Sequence, residues 1–410
     1  MTDQPLPKMF DLTPLNAAYR DDPHAVLDDL RARCPVRHDP EAGSFILTRY
    51  ADVRGVVSDR TLWRDPIRAS PESGMSRLQL RDLDASLPRG ETTSILHLDD
   101  PDHQRIRGPL VQAFYARVAK FRPAFEAIVD QALDRIDASA PFDLMESFCV
   151  PIPVDAIASI LGVDHERLGD FREWSEGVIQ GLNPFRTEAQ TAEMERCGEK
   201  LTAYFLETIA ARRASPQNDL ISDMTKLQAD GAEISDTELR INLSALLIGG
   251  NLTTTDLIGN AVRLLLLNPA ELEKLRGDPS LIASVVEETL RYEGPVDVTG
   301  RIASHEMVVG GCPVKATEPL TLFLRAANRD PEAFDEPHLF KIGEKRAPHV
   351  AFGGGAHICI GAPLARLEGQ VALAKLFERF PNLKLAEADA PEWRKLPFFR
   401  GLERLRVAAS

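Results

Sequence analysis

Cysteine is scarce in this chain and widely scattered. Among 410 residues there are five, an odd number with no Cys-x-x-Cys pair: Cys34, Cys149, Cys197, Cys312 and Cys359. A disulfide framework or a structural zinc site needs several sulfurs at defined spacings, so this pattern argues against both. Any functional role for cysteine in this chain is therefore expected of a single thiol.

Long apolar runs and a positive charge balance are also missing. No run approaches the ~20 apolar residues that span a bilayer, and the first eight residues lack the basic start and apolar segment of a secretion signal. The net charge of −14 disfavours nucleic acid as a partner, because phosphate binding needs a basic face. We expect a cytoplasmic protein without a membrane segment, and a monomer.

The predicted elements are mostly helical, with a few short strands. The length exceeds the ~250–300 residues at which single cores usually divide, so two domains are the default expectation. If a large central group organised one core around itself, we would instead expect an N-terminal arm over residues 1–22 and a single domain over 23–410. The fold class is mainly α with small β-sheets. The elements expected are a helix at 23–33, a hairpin at 35–37 and 44–48, a long loop at 64–96, helices through most of 101–292, strands at 306–309 and 320–324, and a last helix from about 362 to 380.

One predicted helix is long and interrupted by polar residues. Ser235 and Glu238 have the spacing of a capping box, and Pro269 ends the pattern ~30 residues later, about 45 Å at 1.5 Å per residue. This predicted helix carries apolar residues on almost all sides, so we expect it to be buried. Its centre nevertheless holds weak helix formers, which concentrate where function requires them: Gly249, Gly250, Asn251, Thr253, Thr254, Thr255 and Asp256. The alternative is a close helix crossing at the glycines with threonines bonded to backbone carbonyls.

A glycine-rich loop containing Cys359 precedes the last helix. Successive glycines allow unusual backbone angles, and the start of a helix favours a thiolate over a thiol. Three interpretations remain open from the residues alone. A phosphate loop lacks the expected Gly-Lys-Ser/Thr, a cysteine nucleophile would need a base that His357 cannot easily supply, and a haem-iron thiolate would fit the glycines, the helix start and the lone sulfur.

The loop resembles the haem-binding loop of cytochrome P450, with the pattern Phe-Gly-x-Gly-x-His-x-Cys-x-Gly-Ala in register. The resemblance implies the cytochrome P450 fold, with haem b between the long central helix and the helix that follows the cysteine loop. It makes Cys359 the axial iron ligand. Three loop residues would contact the cofactor: Phe352, Gly353 and Gly361.

Further segments follow the family's order from about residue 23 to 397. Glu288 and Arg291 resemble the family's Glu-x-x-Arg pair. Four side chains resemble those placed around the haem and its propionates, where cations would neutralise buried carboxylates: His103, Arg107, Arg301 and His349.

Two positions depart from the family's pattern. Thr253 supplies the alcohol of the oxygen-activating helix, but the acid that normally precedes it is Leu252, which cannot relay a proton. We expect Asp256, or water organised by Asn251, to replace that acid. Glu344 stands where the family commonly has an arginine bonded to the Glu-x-x-Arg pair, and whether Arg346 substitutes is left open.

The resemblance implies a monooxygenase that inserts one oxygen atom from O₂ into a small, largely hydrophobic organic substrate. Asp297 could recognise a polar group on it. Electrons would come from an acidic ferredoxin with its reductase, docked on a basic patch: Arg105, Arg107, Lys341, Lys345, Arg346, His357 and Arg366. The alternative, favoured by Leu252, is a haem-thiolate sensor, isomerase or dehydratase without monooxygenase activity.

Overall fold

The computed structural model describes residues 5–80, 84, 86–387 and 390–409. The chain forms two compact units, each built from separated segments. The first unit comprises the described parts of 1–82, 267–359 and 392–403, and the second comprises those of 83–266, 360–391 and 404–410. A single domain over 23–410 stays a prediction.

The elements confirm a mainly helical fold with small sheets. The helices are α1 (Ala17–Asp21), α2 (Pro23–Arg33), α3 (Tyr50–Ser58), α4 (Gly74–Gln79), α5 (Asp102–Val118), α6 (Arg122–Asp134), α7 (Pro151–Leu161), α8 (Leu168–Val178), α9 (Glu188–Ala214), α10 (Leu220–Ala229), α11 (Asp236–Leu267), α12 (Pro269–Gly277), α13 (Ile282–Glu293), α14 (Leu324–Ala327) and α15 (Ala362–Arg379). The strands are β1 (Val36–Asp39), β2 (Ser44–Leu47), β3 (Phe142–Asp143), β4 (Val298–Ile302), β5 (Met307–Val309), β6 (Cys312–Val314), β7 (Pro319–Phe323), β8 (Lys384–Leu385), β9 (Glu392–Trp393), β10 (Leu402–Arg404) and β11 (Arg406–Ala408).

A four-stranded sheet in the order β1-β2-β7-β4 lies in the first unit. The predicted hairpin is confirmed, with β1 and β2 antiparallel and Val36 opposite Leu47. Strand β7 runs parallel to β2 and antiparallel to β4. All five residues of β7 are buried, as expected of a strand covered on both faces.

The N-terminal arm forms part of the core of the first unit. Met9, Leu12 and Tyr19 are buried and pack in one cluster with Leu27 of α2 and Phe323 of β7. The arm is therefore held by apolar contacts as closely as the helices that follow it.

The second unit contains most of α11, a helix of 32 residues. Its capping box forms as the sequence predicts: the Glu238 amide donates to Ser235 Oγ at 3.1 Å, and the Ser235 amide donates to Glu238 Oε2 at 2.8 Å. Helix α15 contacts α6 through exposed ion pairs such as Lys375–Asp130 at 2.7 Å. A π-helical turn covers Met145–Cys149.

The segment at 64–96, predicted as a loop, is mainly irregular but contains α4 and two short 3₁₀ turns, Pro66–Arg68 and Arg89–Glu91. Positions 81–83 and 85 of it lie outside the described residues. Within the described part of the chain, every helix is too short or too polar to cross a membrane.

Candidate active site

The loop before α15 presents Cys359 on the surface of its unit. Cys359 is exposed, whereas the other four cysteines are buried or half-buried. Exposure is unusual for cysteine, one of the residue types most often fully buried. The neighbouring Ile358 is also 46% exposed. An apolar side chain and a thiol displayed together indicate a surface that a bound group covers.

Backbone contacts fix the shape of this loop. The Cys359 amide donates to the Phe352 carbonyl at 3.0 Å, and the Gly353 amide donates to the Val350 carbonyl at 2.8 Å. Gly355 has φ +65°, and a Cβ there would lie 2.6 Å from the Val57 carbonyl of α3. Both the left-handed angle and the close approach require glycine at this position.

Arg301 reaches the cysteine loop from β4. It is 3% exposed, and its Nη2 donates to the carbonyls of Val57 at 3.0 Å and Gly354 at 3.1 Å. The arginine therefore ties the loop to α3 within the first unit. Its predicted contact with a haem propionate is not tested by these bonds.

The Glu-x-x-Arg pair is buried and hydrogen-bonded within the first unit, which also contains the cysteine loop. Arg291 bonds Glu288 through two nitrogens at 2.7 and 2.8 Å, and it also donates to the carbonyls of Asn328, Pro337 and Leu339. Such bidentate pairing satisfies both buried charges.

Arg346 takes part in the same brace. Its Nε lies 3.4 Å from Glu288 Oε2, and its Nη2 lies 3.2 Å from Glu344 Oε2. Arg346 therefore supplies a cation to Glu288, although position 344, where the family commonly has an arginine, holds a glutamate.

His349 uses both ring nitrogens within the first unit. Nε2 lies 3.1 Å from Glu287 Oε2, and Nδ1 accepts from the Ala351 amide at 3.2 Å. The acceptor role of Nδ1 places the proton on Nε2, facing the carboxylate. His349 thus fixes the backbone entering the loop, and its ring packs 5.9 Å from that of Phe352.

Helix α11 is exposed at one point near its centre, where the sequence has weak helix formers. Gly249 is exposed, and a Cβ there would meet nothing within 4 Å. One turn later, Thr253 Oγ1 donates to the Gly249 carbonyl at 2.8 Å, the back-bonding that threonine adopts within helices. Asn251 is buried at 5% exposure. The space beside Gly249, the open stripe of α11, lies one turn from Thr253.

Asp256 is fully enclosed instead. It is 0% exposed and stands beside the π-helical turn, where its charge contributes to raising the pKa of Cys149, although burial is the larger cause. Helical spacing places Asp256 and Thr253 on similar sides of α11, but Thr253 is only half-buried.

His103 and Arg107 lie one turn apart on α5, in the second unit. His103 is buried, with Nδ1 3.7 Å from Asp100 Oδ1, and Arg107 is half-buried. Their i, i+4 spacing puts them on one helix face, as the sequence predicts.

The sequence analysis missed Glu368 on α15. This acid is 1% exposed, and neither carboxyl oxygen makes a hydrogen bond of normal geometry within the described residues. Burial raises its pKa well above the ordinary value, and the side chain of Thr254 on α11 offsets this only in part. The signal was available in the sequence: Glu368 lies four residues from Leu364 and Ala372, on the buried face of α15.

Asp297 is committed to the protein interior. It is 1% exposed, pairs with Arg325 Nε at 2.5 Å and accepts from the Tyr19 hydroxyl at 3.4 Å. These contacts leave it a structural anchor of the first unit rather than a group held out to a substrate.

The expected basic patch is partly neutralised by neighbouring acids. Arg105 pairs with Asp102 and Glu238, and Lys341 pairs with Glu336 and Glu344. Arg346 is paired as described above, while Lys345 is exposed.

The residues present fit a flat porphyrin bound through sulfur. The fit rests on an exposed thiol in a glycine-shaped loop that leads directly into a helix. A thiolate in such a loop is the kind of ligand by which the class of haem-thiolate proteins holds its iron.

Comparison with known proteins identifies the family. The sequence profile of cytochrome P450 matches residues 178–396. Cytochrome P450 107B1 of Saccharopolyspora erythraea is 38% identical over 371 residues, covering 89% of each chain, and 6-deoxyerythronolide B hydroxylase of the same organism is 33% identical over 384 residues, covering 92% of this chain and 94% of the relative. The crystal structure of P450BioI in complex with hexadec-9Z-enoic acid ligated acyl carrier protein superposes with a TM-score of 0.85 at 33% identity, covering 96% and 99% of the two chains.

The chain belongs to the cytochrome P450 family. Its relatives are monooxygenases and hydroxylases, so it is a P450 monooxygenase, an oxidoreductase with a haem cofactor.

Proposed function

We propose that this monooxygenase uses haem b, bound through Cys359, to insert one oxygen atom of O₂ into a small, largely hydrophobic organic substrate. The observation that carries the proposal is the exposed Cys359 thiol in a loop shaped by Gly355 and held by Arg301. When bound, the haem would supply the iron at which O₂ is reduced, and Cys359 would hold that iron as a thiolate.

The protein's own residues position the cofactor and manage protons. Phe352, Gly353 and Gly361 would form the proximal surface around the thiolate. His103, Arg107 and Arg301 would hold the two propionates by charge-assisted hydrogen bonds, with His349 fixing the start of the loop through Glu287.

Thr253 holds a proton at Oγ1 beside the open stripe of α11. Its present acceptor is the Gly249 carbonyl, so rotation of the side chain would redirect the hydroxyl into that space. Asn251 and Asp256 are the candidate polar partners in place of the acid missing at Leu252. The enclosure of Asp256 requires its proton to leave through a chain of side chains or water, which favours Asn251-organised water as the shorter route.

A hydrophobic substrate is supported by the relatives and by the neighbourhood of the stripe. One relative is named as a hydroxylase of 6-deoxyerythronolide B, and one solved neighbour is a complex with acyl carrier protein ligated to hexadec-9Z-enoic acid, which has a mainly apolar chain. Since Asp297 is paired with Arg325, we propose no charged anchor at that position.

Electrons would come from an acidic ferredoxin and its reductase. The chain contains no flavin-binding or iron–sulfur cysteine pattern, and attraction between basic residues and an acidic partner would steer docking. Docking would involve the predicted basic patch, in which Arg105, Lys341 and Arg346 pair with acids and Lys345 is exposed. Cytoplasmic location and a monomeric state stay predictions.

The direct test is oxygen and NADH consumption with ferredoxin, ferredoxin reductase and a library of apolar compounds, first selected by a substrate-induced spin shift. Thr253→Ala should keep NADH consumption but lower product per NADH several-fold, because the hydroxyl no longer guides the proton. Asp256→Asn should lower the rate if Asp256 is the proton source. Unchanged coupling in Thr253→Ala would contradict the role of Thr253, and unchanged rate in Asp256→Asn would leave Asn251 as the candidate.

A further inference from the structure

Two half-buried thiols of the first unit share one hydrogen-bond acceptor. Cys34 Sγ lies 3.5 Å from the Val36 carbonyl oxygen, and Cys312 Sγ lies 3.4 Å from the same oxygen. The two sulfurs can therefore be no further apart than these contacts laid end to end, about 7 Å. They are separated by most of the chain in sequence, so this proximity is created by the fold.

The backbone around both cysteines is firmly held. Each opens a Cys-Pro-Val tripeptide, and a residue before proline is restricted to extended conformations. The Cys34 amide caps α2 by donating to the Leu30 carbonyl at 2.9 Å. On the other side, Cys312 begins β6 directly after the Gly310–Gly311 turn.

That turn is pressed against β1. Gly310 has φ +55°, and a Cβ there would lie 2.5 Å from Val36 Cγ2. Only glycine allows both the angle and the approach. The hairpin of β5 and β6 therefore packs against Val36, and this packing places Cys312 close to Cys34.

We propose that Cys34 and Cys312 are a reversible redox pair, which forms a disulfide joining the end of α2 to the β5–β6 hairpin. A disulfide needs sulfurs about 2 Å apart and Cβ atoms about 4 Å apart, so both side chains turn from the shared carbonyl towards each other. The inference rests on the thiol geometry and is independent of the proposed function.

Hydrogen peroxide is the oxidant that balances the reaction. One thiolate attacks the peroxide, the O–O bond breaks, and a sulfenic acid and one water form. The second thiol then displaces the hydroxyl group of the sulfenic acid, which leaves as a second water while the S–S bond forms. Two thiols are oxidised, one peroxide is reduced, and a dithiol reductant reverses the change.

The other cysteines are placed for different roles. Cys149 and Cys197 are buried, and burial raises the pKa of the Cys197 thiol to about 11, which suppresses the reactive thiolate. Cys359 would be bound to iron in the holoenzyme. Oxidation of the folded protein should therefore fall on Cys34 and Cys312.

The test treats the haem-loaded protein with hydrogen peroxide, and in parallel with diamide, then alkylates remaining thiols and maps tryptic peptides by mass spectrometry. Cleavage places Cys34 in residues 34–37 and Cys312 in residues 302–315. We expect these two peptides joined, two fewer alkylated thiols per molecule, full reversal by dithiothreitol and a higher melting temperature of the oxidised form.

Cys34→Ser and Cys312→Ser are the matched variants, because each serine can still donate to the Val36 carbonyl. Each should abolish the joined peptide and the shift in melting temperature while leaving the reduced protein folded. The proposal is overturned if the wild type yields no 34–312 peptide, if the two thiols oxidise separately to sulfinic acids, or if Cys34 instead joins a second molecule.

Discussion

At the residue scale, the pKa of the Glu368 carboxyl is set by its buried surroundings. Its carboxyl is enclosed between α15 and α11 without an ion partner among the described residues, and desolvation disfavours the charged form. The raised pKa therefore favours the protonated, neutral form of the Glu368 carboxyl in the interior of the second unit.

A neutral buried acid has a measurable linkage to stability. The unfolded chain ionises at the ordinary pKa near 4.5 while the folded acid stays protonated, so the folded state binds more protons above that pH. Its contribution is full below pH 4.5 and is lost as pH rises towards the folded pKa. Glu368→Gln, which cannot ionise, should lose stability less steeply as pH rises above 4.5, by on the order of 1 kcal/mol per pH unit until the folded pKa is reached.

Urea unfolding of both proteins at pH 5 and pH 8 measures this difference, and the infrared carbonyl band of a protonated carboxyl should disappear in Glu368→Gln. Parallel pH dependences in wild type and variant, with the infrared band unchanged, would show that Glu368 is ionised in the folded protein.

The role of a single residue could be predicted where a sequence motif identifies it. It could not be predicted where residues from distant segments determine its contacts. The motif around Cys359 is contiguous in sequence, so the glycine-rich loop before the last helix was predicted, whereas its contacts with Arg301 and Val57 were not. The partner of Asp297 is not local, since Arg325 and Tyr19 approach it from distant segments, and the sequence left open whether it faced a substrate.

At the element scale, α13 and the segment before the cysteine loop are joined by one buried charge cluster. Glu288 accepts from Arg291 and from the Lys341 amide at 3.0 Å, and Arg346 adds an ion-pair contact at 3.4 Å without a hydrogen bond. An arginine shifted by two positions therefore performs the bracing because the irregular backbone allows its long side chain to reach back.

This arrangement predicts an order of destabilisation. Arg291→Gln should cost about 3–5 kcal/mol, because it leaves Glu288 buried with its main partner removed. Arg346→Gln should cost about 1–2 kcal/mol, since Glu288 keeps Arg291. Lys345→Gln, at an exposed neighbouring position, is the control and should stay within about 0.5 kcal/mol of wild type.

Denaturant unfolding of the haem-loaded variants, with the Soret band as a second probe, checks the order. An Arg346→Gln variant as stable as Lys345→Gln would mean that the 3.4 Å approach to Glu288 contributes nothing.

Elements were predictable where periodicity was strong. The bounds of α11 and α15 and the β1–β2 hairpin follow from capping, periodicity and alternation, which are local. The short helix α4 within 64–96 was not predicted, because six residues give too little pattern to distinguish a helix from an irregular turn.

At the scale of the whole molecule, buried charges join distant parts of the first unit. Glu293 contacts Arg325 and Arg400 and lies 3.6 Å from His24 Nε2. Arg329 Nη2 approaches the same nitrogen at 3.2 Å. Burial, and then the charge of Arg329, lower the pKa of His24 to about 4, so His24 is a neutral acceptor in the folded protein.

That shift predicts acid sensitivity with a defined sign. The unfolded histidine takes up a proton near pH 6.5 and the folded one near 4, so the stability due to His24 is complete above pH 6.5 and falls as pH drops towards 4. Between pH 7 and pH 5, wild type should lose about 2 kcal/mol more than His24→Gln, whose side-chain oxygen can accept from Arg329 without titrating.

Urea unfolding of the two proteins at pH 7 and pH 5 provides the comparison, and His38→Gln, on an exposed histidine of β1, is the control for histidine loss. Equal losses in wild type and His24→Gln would show that His24 is not held neutral by its surroundings.

The large-scale organisation was predictable only through family resemblance. Helical content follows from periodicity, but the two units assembled from separated segments depend on long-range packing that no local pattern encodes. The same holds for the arm, whose Met9 and Tyr19 are too widely spaced to predict a core.

Cys359 as the axial ligand is the central claim, and the spectrum of the reduced carbon monoxide complex tests it most directly. The wild-type holoprotein should absorb near the long-wavelength position diagnostic of a thiolate trans to carbon monoxide, and Cys359→His should move the band to that of a histidine-ligated haem. A wild-type band already at the histidine position, or one unchanged in Cys359→His, would contradict it.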